Sequence, residues 1–259
     1  VLIVAGLIGV SINLSNLYHT YEYSKETMRG KSELKYEGAA AKQTSSGLNR
    51  DYITQWSYGI GETFSLLVPN VKGGASVPLS RSEKAMEKAN PMYSSLYSQL
   101  TQYFGDQPMT SGPVYVGAFV LMLFILGCFI VKGPMKWALL GATIFSILLS
   151  WGKNFMGLTD FFIDYIPMYN KFRAVSSILV IAEFTIPLLA ILTLKEILTK
   201  PELLKEKLKY IYISFGLTGG LALLFAIAPR LFFPTYIPGN EMAALQNALP
   251  ADQLSPIIA

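Results

Sequence analysis

AVSSILVIAEFTIPLLAILTL, residues 174–194, decides how this chain is read. Its one charge is Glu183. About 20 apolar residues in helical conformation cross the roughly 30 Å hydrocarbon core of a bilayer. Working outward, three further runs have the same character: 114–131, 135–151 and 210–228. A fifth apolar stretch, 1–18, opens the chain. It has no basic leader region and no small-residue cleavage motif, so it reads poorly as a signal peptide. Without an initiator Met, it is expected to be a transmembrane helix whose true start lies upstream.

Composition agrees with this pattern. Of 259 residues, 52% are hydrophobic and 15% are charged, against about 25% charged in a soluble domain. Mean hydropathy is +0.40. These values argue against a soluble globular domain. The lone cysteine, Cys128, lies within an apolar run and rules out an internal disulfide or a cysteine cluster. The net charge of +4 is no nucleic-acid signature, because the lysines sit where topology needs them.

Lysines set the orientation. The short loop Lys132-Gly-Pro-Met-Lys136 is basic, and Lys195, Lys200, Lys205, Lys207 and Lys209 crowd the connection before the last span. Short Lys-rich loops stay cytoplasmic, and alternating spans put both loops on one side. The fold expected is therefore an all-α polytopic membrane protein with about five transmembrane helices and a long, partly helical outer loop. Its parts are a first helix (1–18), an outer region with short helices (19–112), and a four-helix transmembrane region (113–228). The latter contains an aromatic-rich interfacial segment (152–173), and an outer tail (229–259) follows. No tandem repeat is present.

Local signals fill in the outer region. Ser11, Ser15, His19, Glu22 and Glu26 share one helical face, so a polar stripe runs from the membrane outward and should face other helices or a wet cavity. Gly30 is the expected stop. Ser80-Arg-Ser-Glu83 matches a capping box. Asn90-Pro91 matches a cap with proline at the first helical position, opening a helix that carries Tyr93, Leu96, Tyr97, Leu100, Tyr103 and Phe104 up to Gly105. In the interfacial segment, Thr159 is expected to cap a short helix and Pro167 to end it.

Four segments, YEYSKETMRGKSEL (21–34), DYITQWSYGIGETFSLLVPNVKGGAS (51–76), YFGDQPMTSGPVYVGA (103–118) and LLSWGKNFMGLTDFFIDYIPMYNKFRAVSSILVIAEFTIPLLA (148–190), resemble the bacterial YfhO-like membrane protein family. The tail after Phe233 is less distinctive. That family is similar in architecture to the C-type glycosyltransferases, which take a sugar from a polyprenyl-phosphate carrier on the outer face. The resemblance implies a multi-pass protein of the bacterial cytoplasmic membrane, with the lipid bilayer, a polyprenyl-phosphate-linked sugar and an envelope glycopolymer acceptor as partners, and no nucleic acid. C-type enzymes place an essential acidic residue in the first outer loop. This chain is expected to begin after it, and such a fragment would be inactive alone.

The candidate residues each admit two readings. His19, Glu22 and Glu26 form an acid/base group, or a solvated helix end with incidental charges; no metal set is assigned, and a divalent ion stays open. Glu62, in the glycine-rich GIGET run, is the best acidic candidate of the outer region, with Trp56 and Tyr58 available to stack on a sugar ring; the alternative is a packed loop. Arg173, Lys153 and Lys171 flank the interfacial connection, where basic groups suit a lipid-linked phosphate or anchor to headgroups. Glu183 falls near the middle of its span, where a carboxylate costs about 2.5–3.5 kcal/mol. It should face the bundle and be paired or protonated, as a functional acid or an interhelical hydrogen bond. No cofactor is evident. A transporter or flippase, and a non-catalytic scaffold, are the rival readings. A transporter would show paired broken helices in two related halves, which the sequence does not display.

Overall fold

The computed structural model describes residues 2–27, 48–87, 89–233, 236–237, 242 and 245–247. Gly30 and the rest of 28–47 lie outside the described residues. Among those described there is no strand, only an isolated antiparallel bridge between Pro78 and Thr101.

Among the described residues, two helices are long and apolar enough to cross a membrane, 175–199 and 208–227. A third crossing results if the pair 134–150 and 152–165, bent by 108°, is one span. The remaining expected spans are shorter than sequence suggests. The opening run gives α1 (Leu2–Ile12), which breaks at Asn13 before α2 (Leu14–Lys25). Run 114–131 gives α6 (Ala118–Ile130), because its first residues are not helical and Gly117 adopts a left-handed φ of 98°. Between α2 and α6 lie α3 (Arg50–Ile53), a 3₁₀ turn Gly61–Leu66, α4 (Glu83–Met86) and α5 (Ser94–Tyr97).

The helical unit centres on α9 (Val180–Thr199), extended at its start by the 3₁₀ turn Val175–Leu179. It packs against α6 and α7 (Pro134–Ser150). Ala182, Thr185, Ile186, Leu189, Ala190 and Thr193 form its buried face. Between apolar helices in lipid, packing and interhelical hydrogen bonds supply the cohesion. One such bond joins the hydroxyls of Thr143 on α7 and Thr185 on α9 at 2.7 Å. Pro187 lies inside α9 without ending it, at the cost of the bond its missing N–H would give the Glu183 carbonyl. The chain then passes through α10 (Leu203–Glu206), α11 (Leu208–Phe215), a π turn Gly216–Gly220, α12 (Leu221–Ile227) and α13 (Pro229–Phe232). The loop Lys132–Lys136 and the lysines after α9 fall at the same end of the unit, since α6 and α9 both end where α7 begins.

The connecting segment 48–113 is fastened to the opposite end. At Gly152, φ is +44° and a Cβ would collide with the Ser57 hydroxyl and Val175, so glycine lets the chain turn from α7 into α8 (Met156–Tyr165). Around this bend the Tyr58 N–H donates to the Ser150 carbonyl (2.8 Å), the Lys153 N–H to Ser57 Oγ (2.8 Å), Asn154 Nδ2 to the Tyr58 carbonyl (3.0 Å) and Trp151 Nε1 to Thr63 Oγ1 (2.9 Å). Tyr58 and Leu66 join the apolar core of the helices, and Val71 packs with Phe225 and Phe233.

Three local expectations change. The cap at the start of α4 is Ser82, which accepts from the Ala85 N–H, and not Ser80. Asn90 does cap, accepting from the Met92 N–H at 3.0 Å, but the helix it opens ends at Tyr97. Residues 100–102 instead pair with 77–79, which carries Tyr103 inward. Thr159 is buried within α8, bonding the Gly152 and Phe155 carbonyls, and caps nothing; the helix does stop just before Pro167.

Candidate functional site

The turn that begins at α3 divides two cavities. Asn49 caps it by accepting from the Asp51 N–H (2.9 Å). Arg50 ties it to α8 through Asp160 (Nε to Oδ1, 2.9 Å) and Asp164 (Nη2 to Oδ1, 2.7 Å), and the Asp160 hydrogen bond first of all raises the guanidinium's pKa. Residues four apart in one turn share a side. Tyr52 and Trp56 lie on the side of Arg173, while Asp51 and Gln55 line a different cavity.

On the first side is an apolar groove of about 460 Å³, lined by Leu149, Phe172, Val175, Ile178, Val180 and Ile181 among others, with Arg173 in its wall. Arg173 is exposed. Its Nη1 donates to the Tyr52 hydroxyl at 2.8 Å, and its guanidinium lies 5.3 Å from the Tyr52 ring centre and 4.8 Å from that of Trp56. The two rings hold the plane of the guanidinium by cation–π attraction. Its other N–H donors have no partner among the described residues. The site is thus an oriented cation beside a cavity within the usual ligand-pocket range of about 300–1,000 Å³.

On the second side is a polar basin of about 540 Å³, lined by Asp51, Thr54, Gln55, Asp106, Gln107 and Lys153 among others. Lys153 Nζ donates to the Asp106 carbonyl (3.1 Å). The structure therefore separates the three basic candidates. Arg173 walls the groove, Lys153 the basin, and Lys171, at the end of a 3₁₀ turn Tyr169–Lys171, is half-buried nearby.

Glu62 borders a cavity of only about 10 Å³. It is 3% exposed and accepts from the Gly59 N–H (2.6 Å), the Asp106 N–H (3.2 Å) and the Tyr103 hydroxyl. Its three partners make it a clamp between two loops, the packed-loop alternative. A Cβ on Gly105 would strike both the Tyr103 hydroxyl and Glu62 Oε1, which explains glycine there. Tyr58 is also unavailable to a sugar: it is 2% exposed and its hydroxyl bonds Ser65. Burial, with the negative field of Glu62, pushes its pKa up to about 12. Burial likewise raises Tyr103 and lowers the Lys72 ammonium, which lies 5.1 Å from the rings of both Phe104 and Phe233. Trp56 remains half-exposed, with Arg173 over its ring.

His19 and Glu22 are not brought to either cavity. Every residue from Ile3 to Tyr23 is exposed. Glu22 pairs with Lys25 at 2.6 Å, His19 meets the Tyr18 ring edge-on, and Glu26 is the C-terminal cap residue of α2. The polar stripe thus faces no helix among the described residues. Glu183 also departs from expectation. The span runs 175–199, so Glu183 lies a turn before its middle. It is exposed, outside the buried arc of α9, and makes no side-chain hydrogen bond among the described residues. No group of three His, Cys, Asp or Glu side chains among those residues is placed to hold a metal ion.

Arg50, Asp106 and Gln107 were missed by sequence reasoning. The i, i+4 division of residues 51–56 was the signal available for the two cavities. No family model, curated protein or solved structure matches this chain.

Proposed function

We propose that this chain carries the donor-lipid site of a membrane glycosyltransferase. In this reading it is the five-span part of a larger protein of the bacterial cytoplasmic membrane, with segment 48–113 and α8 on the outer side, and the whole enzyme transfers a sugar from a polyprenyl phosphate to an envelope acceptor. The YfhO-like resemblance supports the reaction class. The observation that carries the site is the pairing of an apolar groove of about 460 Å³ with the oriented guanidinium of Arg173.

The chemistry follows from that pairing. The isoprenoid chain lies along Ile178, Val180 and Ile181, where burial of each CH₂ contributes about 0.8 kcal/mol. The phosphate meets the free N–H donors of Arg173, forming charge-assisted hydrogen bonds. During transfer the acceptor hydroxyl oxygen bonds to the anomeric carbon and gives up its proton to water, while the bond from that carbon to the phosphate oxygen breaks. Negative charge grows on the leaving phosphate, and the guanidinium stabilises it.

The test is binding by the full chain in nanodiscs. The protein should prefer a long-chain polyprenyl phosphate over the corresponding polyprenol. Arg173→Ala should remove that preference, weakening phosphate-lipid binding about tenfold or more. Arg173→Lys should retain part of it, since it keeps the charge and loses the planar fork. Equal binding of the two lipids by the wild-type chain would refute the site.

A further inference from the structure

The structure points to a role for the polar basin that the candidate residues did not include. We infer that it receives the sugar ring of the lipid-linked donor, with the Asp106 carboxylate as its principal hydrogen-bond acceptor. This rests on the reading of the groove and Arg173 given above.

The basin has the right size and the right chemistry. Its volume is about 540 Å³, ample for a hexose and within the ligand-pocket range of about 300–1,000 Å³. Its wall offers carboxylates (Asp51, Asp106), amides (Gln55, Gln107), a hydroxyl (Thr54) and an ammonium (Lys153). Sugar hydroxyls both donate and accept, so a wall that mixes the two suits a neutral polyol. An anion would meet the open oxygen of the Asp106 carboxylate, and the one ammonium, Lys153, already donates to the Asp106 carbonyl. The phosphate therefore belongs at Arg173 and the sugar in the basin.

Asp106 is held ready. Its N–H is fixed from below by buried Glu62 (3.2 Å), its carbonyl by Lys153 Nζ (3.1 Å), and its Oδ2 accepts from Asn154 Nδ2 (2.9 Å). Its Oδ1 has no partner among the described residues, and the residue is exposed. The acceptor is thus oriented before any ligand arrives, and little ordering remains to oppose binding. The same clamp gives buried Glu62 its purpose.

The basin also adjoins the phosphate position. Asp51 and Gln55 lie one residue from Tyr52 and Trp56, which flank Arg173. Ser176, three residues after Arg173, bonds Gln107 at 3.3 Å. The turn 51–56 thus stands between the guanidinium and the basin, with a residue of each pair on either side.

The experiment compares lipid probes on the full chain in nanodiscs: a polyprenyl phosphate, and the same lipid bearing glucose, galactose or N-acetylglucosamine. At least one glycosylated lipid should bind about tenfold tighter than the bare one, the effect expected of a hydrogen bond to a charged group. Asp106→Asn keeps the shape and should reduce that ratio to about threefold or less. Gln55→Ala, also in the lining, should reduce it too, and neither should alter binding of the bare phosphate. If the bare lipid binds and no sugar improves it, the basin proposal fails and the groove stands. A preference unchanged in both variants also overturns it. If no phosphate lipid binds, the groove reading fails and takes the basin with it.

Discussion

Replacing Glu62 by alanine should open the connecting segment without disturbing the helices. The substitution removes the acceptor of three donors, of which the Gly59 N–H and the Tyr103 hydroxyl are buried. Each buried donor left unpaired costs about 1–3 kcal/mol. The Tyr103 oxygen keeps the bond it accepts from the Gln107 N–H (2.9 Å) and only its proton loses a partner, so a sum in the lower half of the range, about 3 kcal/mol, is expected. That corresponds to about a hundredfold rise in the open population. Hydrogen exchange read by mass spectrometry measures it directly, since local opening sets amide exchange. Peptides covering 57–67 and 103–108 should exchange about a hundredfold faster, while those of α9 stay unchanged. Glu87→Ala, at an exposed position of the same segment, is the control. If Glu62→Ala exchanged no faster than Glu87→Ala, the clamp would be disproved.

Arg50→Gln should loosen α3 from α8. Asp160 and Asp164 are 43% and 48% exposed, so solvent limits the effect to about 1 kcal/mol; the difference from wild type in exchange at 50–54 should shrink in about 1 M salt, and a salt-independent difference would contradict an ionic origin. Alkali should weaken the connecting segment. Tyr58 has its pKa raised in the fold from 10.0 to about 12, so its contribution is complete below about pH 10 and is lost as pH rises from there towards about 12; Tyr58→Phe should flatten the fall in stability across that window, and an unchanged pH profile would refute the assignment. Topology is tested in a chain with Cys128 replaced by alanine: an impermeant thiol reagent should label Met92→Cys from outside and spare Lys205→Cys until the membrane is opened, and the reverse would invert the orientation.

The parts of this fold that were readable are those governed by one-dimensional pattern. The run at 174–194 became a long apolar helix because nothing in it breaks one, Pro187 included. The stop before Pro167 and the Asn90 cap are likewise local chemistry. What escaped was set by partners distant in sequence. Glu62 looked like a reactive acid in a glycine-rich loop, and only the arrival of Tyr103 and Asp106, some forty residues later, makes it a clamp. Tyr103 followed helical spacing in sequence, but the pairing of 100–102 with 77–79 drew it out of that helix. Glu183 shows the limit of a depth argument: its insertion cost fixes that it needs an environment, while the buried arc of α9 fell on Ala182, Thr185 and Ile186 instead. Arg173 was singled out for its place at a span boundary, and its two aromatic supports come from 52 and 56, residues no local pattern links to it.

The most direct test of the account is photo-cross-linking with a polyprenyl phosphate that carries a diazirine on the isoprene unit nearest the phosphate. In the full chain the adducts should map to the groove wall around Phe172, Ile178 and Ile181, and Arg173→Ala should abolish them. Adducts concentrated on α11 and α12, or groove adducts that persist at wild-type yield in Arg173→Ala, would contradict it.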